Sequence, residues 1–161
     1  MYRSTKVWLL AVLLVGSLTG CAAGQPREFT ARANQLCADT YRMISRLPMA
    51  TEGVGAMRWS MTRYIDIEHL VAQITDDRAI PRGRAGQDLR NRWLRPSRAS
   101  LVRGRDDLEA LRQAIHHDPA AVGPALTASL RAGTEGVDTG YLERAGLPAC
   151  AATFTATQPA Q

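Results

Sequence analysis

The residues with the most definite chemistry lie near the start of the chain, at Leu18-Thr19-Gly20-Cys21. A cysteine behind small residues suits transfer of a diacylglyceryl group to its sulfur, because the small side chains let a peptidase approach the backbone. Two further constellations invite a chemical reading. Glu68 sits on an apolar helix stripe with His69 at its border, where a buried carboxylate near an imidazole could act as a general base or metal ligand; such a Glu more often reaches an Arg on a neighbouring helix or points out at a helix end. His116-His117-Asp118 resembles a metal set, but adjacent histidines on a helix point about 100° apart and Asp118 reads better as a helix N-cap. Paired Glu-x-x-His motifs, which a di-metal bundle site requires, are absent from the sequence. So are a Gly-x-Ser-x-Gly elbow, a phosphate loop and His-Glu-x-x-His. The chain therefore reads as non-catalytic, with no cofactor and no metal.

The densest charge is an arginine run: Arg78, Arg82, Arg84, Arg90, Arg92, Arg95, Arg98, Arg103 and Arg105, opposed within it only by Asp88. Arg92, Arg95, Arg98, Arg103 and Arg105 fall opposite an apolar stripe and form a candidate surface for anionic lipid headgroups or an acidic envelope polymer. The competing reading is a solvated helix face, with Asp88–Arg92, Arg103–Asp107 and Arg105–Glu109 paired at i,i+4.

What precedes Cys21 fixes the setting of all these groups. Arg3 and Lys6 stand before an apolar run from Val7 to Leu18, shorter than the roughly 20 residues that span a bilayer. With Cys21 this is the lipobox of a lipoprotein precursor; the alternatives are an uncleaved anchor or an ordinary signal peptide. The expected divisions are a signal peptide over 1–20, a lipidated tether over 21–28, a helical domain over 29–152 and a flexible tail over 153–161. Two or three acyl chains hold a protein at a membrane where one does not, so the expected location is the extracytoplasmic face of the cell membrane. Its partners would be the membrane through Cys21, then anionic lipid, an envelope polymer or another envelope protein.

Loss of Arg3 and Lys6 with the leader leaves 18 basic residues, all arginine, against 15 acidic ones. That mild excess, with few aromatics interleaved, does not make a nucleic-acid platform. With Cys21 committed to lipid, Cys37 and Cys150 remain, in a compartment where disulfides persist. Such a bridge would contribute roughly 4–5 kcal/mol on the chain-entropy model; two buried thiols are the alternative. No Cys-x-x-Cys is present.

Four apolar stripes at helical period predict the elements that position these groups. The first covers about 29–47 (Phe29, Ala33, Leu36, Cys37, Thr40, Ile44). The second, about 52–75, has two strips: Val54, Met57, Met61, Tyr64, Ile65, Val71 and Ala72, and a further Trp59, Ile67, Leu70 and Ile74. A third runs over about 85–116, with Pro96 predicting a kink near Leu94–Arg95. The fourth starts at Asp118-Pro119 and ends at Gly146, with Gly133, Gly136 and Gly140 on its packing side. The expectation is an all-α fold, an antiparallel four-helix bundle with one disulfide.

The lipobox, Ala33-Asn34-Gln35-Leu36-Cys37 and Gly146-Leu147-Pro148-Ala149-Cys150 together resemble small helical lipoproteins of actinobacteria. About ten positions carry the likeness, and they bracket nearly all of the mature domain. It implies a helical domain closed by Cys37–Cys150 and brings no catalytic residues. The leading expectation is a lipid-anchored domain that binds or scaffolds at the envelope, through the arginine face or the Trp59, Ile67, Leu70, Ile74 strip. A carrier with a hydrophobic ligand against Met57, Met61 and Trp93 is a second reading; an envelope enzyme using Glu68 and His69 is a third.

Overall fold

The computed structural model describes residues 24–156 apart from 49 and 51. The predicted signal peptide, Cys21 and residues 157–161 lie outside the described residues. The elements are α1 (Gly24–Arg46), α2 (Gly53–Asp76), α3 (Gly83–Leu89), a π-helical turn (Arg90–Leu94), α4 (Arg95–His117), a 3-10 turn (Pro119–Ala121), α5 (Val122–Ser129), α6 (Thr139–Arg144) and α7 (Pro148–Ala156). The fold is all-α, with no strand among the described residues. None of these helices is long and apolar enough to cross a membrane. α1 packs on α2 and α7, α4 on α2 and α5, and α6 on α7.

Both expected ends of the domain shift. Residues 24–28, read as tether, already belong to α1. Residues 153–156, read as tail, belong to α7, where Thr153 and Phe154 are fully buried. Phe154 meets the edge of Trp93 with ring centroids 5.8 Å apart, and the Thr153 hydroxyl donates to the Cys37 carbonyl at 3.0 Å. A single aromatic in a polar stretch carries no periodicity, so only its tertiary partner reveals it as core.

The main core joins Phe29, Ala33 and Cys37 of α1 to Ile67, Leu70, Val71 and Ile74 of α2, Trp93 and Leu101 of the third rod, and Leu142, Leu147 and Phe154. This reverses one expectation. Ile67, Leu70 and Ile74, offered as a contact surface, are interior, whereas Val54, Met61 and Ile65 of the other strip are exposed. A helical wheel finds two apolar strips but cannot say where neighbours stand. Trp59 sits half-buried on a smaller cluster of Ala56, Leu111 and Leu126.

At Pro96, where a kink or a break is expected, the helical run from Gly83 to His117 continues without a gap. A proline cannot donate to the carbonyl four residues back, here that of Arg92. A π turn precedes the proline, and the Arg92 carbonyl instead accepts from the Asp138 backbone N–H at 2.9 Å. The helical rod is thus re-satisfied by the far end of the chain.

The fourth helix departs most from expectation. Asp118 does cap, accepting from Ala120 N–H at 3.2 Å ahead of Pro119, but α5 ends at Ser129. Gly133 and Gly136 take positive φ angles, and α6 restarts where Asp138 accepts from Tyr141 N–H at 2.8 Å. Gly133 is required there twice over. Its φ of +79° disfavours a side chain, and a Cβ would lie 2.4 Å from Ile67 Cγ2. The glycines were read as close-packing positions in one helix; at Gly133 close approach and chain reversal coincide.

Candidate ligand-binding groove

Asn34 and the disulfide fix one end of the molecule. Cys37 and Cys150 are bonded at 2.09 Å across a sequence separation of 113. One turn away, Asn34 donates to the Gly146 carbonyl at 2.8 Å and accepts from Ala149 N–H at 3.1 Å, spanning the join between α6 and α7. The two motifs flanking the domain in sequence therefore form a single clasp.

Beside this clasp lies a cleft of about 790 Å³, within the size range of small-molecule sites. Three separate segments build it: Phe29 and Thr30 from the start of α1, Pro81 to Leu89 from the lead into α3, and Tyr141, Arg144, Ala145 and Leu147 from α6 and its exit. Behind the lining, Gly86 allows the wall residue Pro81 to close on α3, since a Cβ there would stand 1.8 Å from the Pro81 carbonyl oxygen. Only glycine lets the Pro81 loop fold back this far. Phe29, Leu89 and Leu147 supply a buried apolar floor, while Arg82 and Arg144 are exposed at its sides. Neither arginine has an ion-pair partner among the described residues. Burial, and then the charge of Asp88, raise the Tyr141 phenol above its ordinary pKa, so it stays a neutral hydrogen-bonding group at physiological pH. Arg92 stacks over its ring, 5.5 Å from the centroid.

The predicted arginine face looks different once folded. Arg92 pairs with Asp138 at 3.0 Å, Arg103 with Glu135 at 2.7 Å and Arg105 with Glu68 at 3.0 Å. Arg95 donates to the Asn91 side chain at 2.8 Å. The acceptors come from distant segments, so the expected i,i+4 pairs on Asp88, Asp107 and Glu109 give way to tertiary ones. Glu109 is held instead by Arg112, whose hydrogen bonds lower its pKa to about 2. Of the five, Arg95 and Arg98 have no ion-pair partner among the described residues; Arg98 borders a hollow between α2 and α4 with Glu68, Val102 and Arg105.

Glu68 and His69 do not converge. Glu68 turns to Arg105, and the His69 ring meets Gln73 at 2.9 Å. Among the described residues no three His, Cys, Asp or Glu side chains gather as metal ligands. Met57, Met61 and Trp93 share no cavity wall, because Trp93 is sealed in the core while Met61 is exposed. The sequence reading missed Arg63, which is buried on the core side of α2 and whose pKa burial lowers to about 10. Its place between Ser60 and Ile67 on one stripe was the available signal. It also missed two inter-helix polar contacts: Ser60 to Ser129 at 3.0 Å and Ser100 to the Arg131 carbonyl at 2.8 Å.

Comparison with protein-family models, curated proteins and solved structures gives no match.

Proposed function

We propose that the mature chain is a lipid-anchored, extracytoplasmic helical domain that binds an amphipathic anion, an acylated molecule with an acidic headgroup, in the groove beside its tether. The observation carrying this reading is an apolar floor flanked by two exposed arginines, Arg82 and Arg144, that form no ion pair among the described residues. The lipobox supports the address, and the Cys37–Cys150 bond suits an oxidising compartment. Position adds to the argument. Phe29 lies five residues into α1, about 7.5 Å of helical rise, and Cys21 precedes α1 by three residues. An anchored domain would hold this groove close to the lipid surface.

The fold fits a variant of the antiparallel four-helix bundle in which α5, α6 and α7 together take the place of a fourth helix. The interior-carrier reading shifts accordingly: the hydrophobic site is a groove at the clasped end. Asp88 on the wall offsets part of the positive charge and favours a singly charged headgroup over a polyanion.

Two measurements test the proposal. Intact mass of the membrane-extracted protein should show acylated Cys21, and Cys21→Ser should release the chain from the membrane; an unmodified Cys21 removes the anchor. For the groove, soluble Cys21→Ser protein is mixed with phosphatidylglycerol and with phosphatidylcholine vesicles. Preference for the anionic vesicles, reduced about tenfold by Arg82→Glu with Arg144→Glu, supports the site. Equal binding to both lipids, or an unaffected double variant, eliminates it.

A further inference from the structure

α2 carries an outward seam that is largely exposed among the described residues. Positions 54, 58, 61, 65, 68 and 72 follow the alternating four-and-three spacing of a coiled-coil seam. Their occupants are Val54, Arg58, Met61, Ile65, Glu68 and Ala72. Val54, Met61 and Ile65 are 67%, 38% and 51% exposed, on the side of α2 opposite Ser60, Arg63, Ile67, Leu70 and Ile74. The stretch from 54 to 72 is uninterrupted helix, roughly 27 Å long, so the seam is straight enough to accept a second helix.

The order of these residues says which helix that is. We propose that α2 pairs with α2 of a second copy of this chain, antiparallel, about a two-fold axis level with residue 63. That axis sets Met61 against Ile65 of the second copy, Val54 against Ala72, and Arg58 against Glu68. Apolar residues meet apolar residues, and both charged positions meet their opposites. A parallel pair would instead stack Arg58 on Arg58 and Glu68 on Glu68, which like-charge repulsion disfavours. Such self-complementarity is what an isologous interface requires.

The charges are available for it. Arg58 is exposed and has no ion-pair partner among the described residues. Glu68 engages Arg105 and Tyr64 through Oε1 alone, which leaves Oε2 to accept from the second copy. Val102 of α4, 67% exposed, borders the same hollow as Ala72 and widens the seam. One helix pair is smaller than the roughly 1,200–2,000 Å² of a tight interface, so the dimer is concentration-dependent.

Sedimentation velocity over a concentration series tests this on the mature chain carrying Cys21→Ser, with Cys37–Cys150 intact. Wild type should pass from monomer to dimer. Ile65→Glu should abolish the dimer without changing helix content, because the site is exposed. Arg58→Glu should weaken it by about tenfold, and adding Glu68→Arg should restore it to within about threefold. A parallel pair gains nothing from that exchange. Met61→Cys with Ile65→Cys gives a second readout, a covalent dimer under mild oxidant that does not depend on the charges. A monomer at every concentration, a dimer that survives Ile65→Glu, or failure of both the charge exchange and the crosslink would overturn the proposal.

Discussion

The two ends of the molecule are secured by different means. At one end α1 and α7 are joined by Cys37–Cys150, by both groups of the Asn34 amide and by Thr153, over a core that includes Trp93 and Phe154. At the other, α5 rests on α2 and α4 through a small cluster of Ala56, Leu111 and Leu126, helped by Ser60 and Ser129. The groove lies at the clasped end, where Phe29 and Leu147 serve both core and site. A groove whose floor is shared with a crosslinked core is pre-formed, so the proposed ligand would meet little ordering cost there. The smaller cluster at the α5 end predicts that this end opens first.

Four measurements would sharpen that contrast or dissolve it. The largest effect is expected from removing the crosslink: Cys37→Ser with Cys150→Ser should lower unfolding stability by about 4–5 kcal/mol, read by urea denaturation. Phe154→Ala should follow, at about 3–5 kcal/mol, because it empties a fully buried site beside Trp93. Leu126→Ala should cost less, towards about 2 kcal/mol, since its cluster can relax; hydrogen exchange should show α5 amides opening well before those of α1 and α7. Uniform protection, or a Leu126→Ala loss equal to that of Phe154→Ala, would break the comparison.

The smallest effect concerns Glu109, exposed on α4 away from the clasp. Its folded pKa is depressed to about 2 from 4.5. Its contribution is therefore present above the unfolded value and lost only as pH falls through about 2. Glu109→Gln should lower the thermal midpoint slightly at neutral pH, less in high salt, and the difference from wild type should vanish in strong acid. A salt-independent loss as large as that of Leu126→Ala would mean that the charged surface, too, holds the fold.

Much of the helical scaffold is legible in the residues themselves. Apolar spacing marks α1, α2 and the third rod, Pro96 marks the irregular turn, and Asp118-Pro119 and Gly146 mark boundaries. The groove is less legible. Its walls come from three segments far apart in the chain, and only Pro81 and Gly146 stand out in advance as breakers beside it. Arg82 looks no different from the eight other arginines of the central run, nor Arg144 from those elsewhere; what sets the two apart is their place on either side of one apolar floor, a property of the fold. Gly86 reads as an ordinary helical glycine until the Pro81 carbonyl is placed against it.

The helical period, the stops at Pro and Gly and the cysteines from which a bridge could be made are all readable in the linear chain. Each of these is a local preference or a matter of inventory, set within a few residues or by counting. Tertiary structure alone decided which strip of α2 faces inward, that the fourth arm breaks after Ser129, and which arginines are neutralised. Arg92, Arg103 and Arg105 find their acceptors 46, 32 and 37 residues away. Charge pairing and burial depend on distance in space, and a linear pattern carries that distance only after the chain has folded.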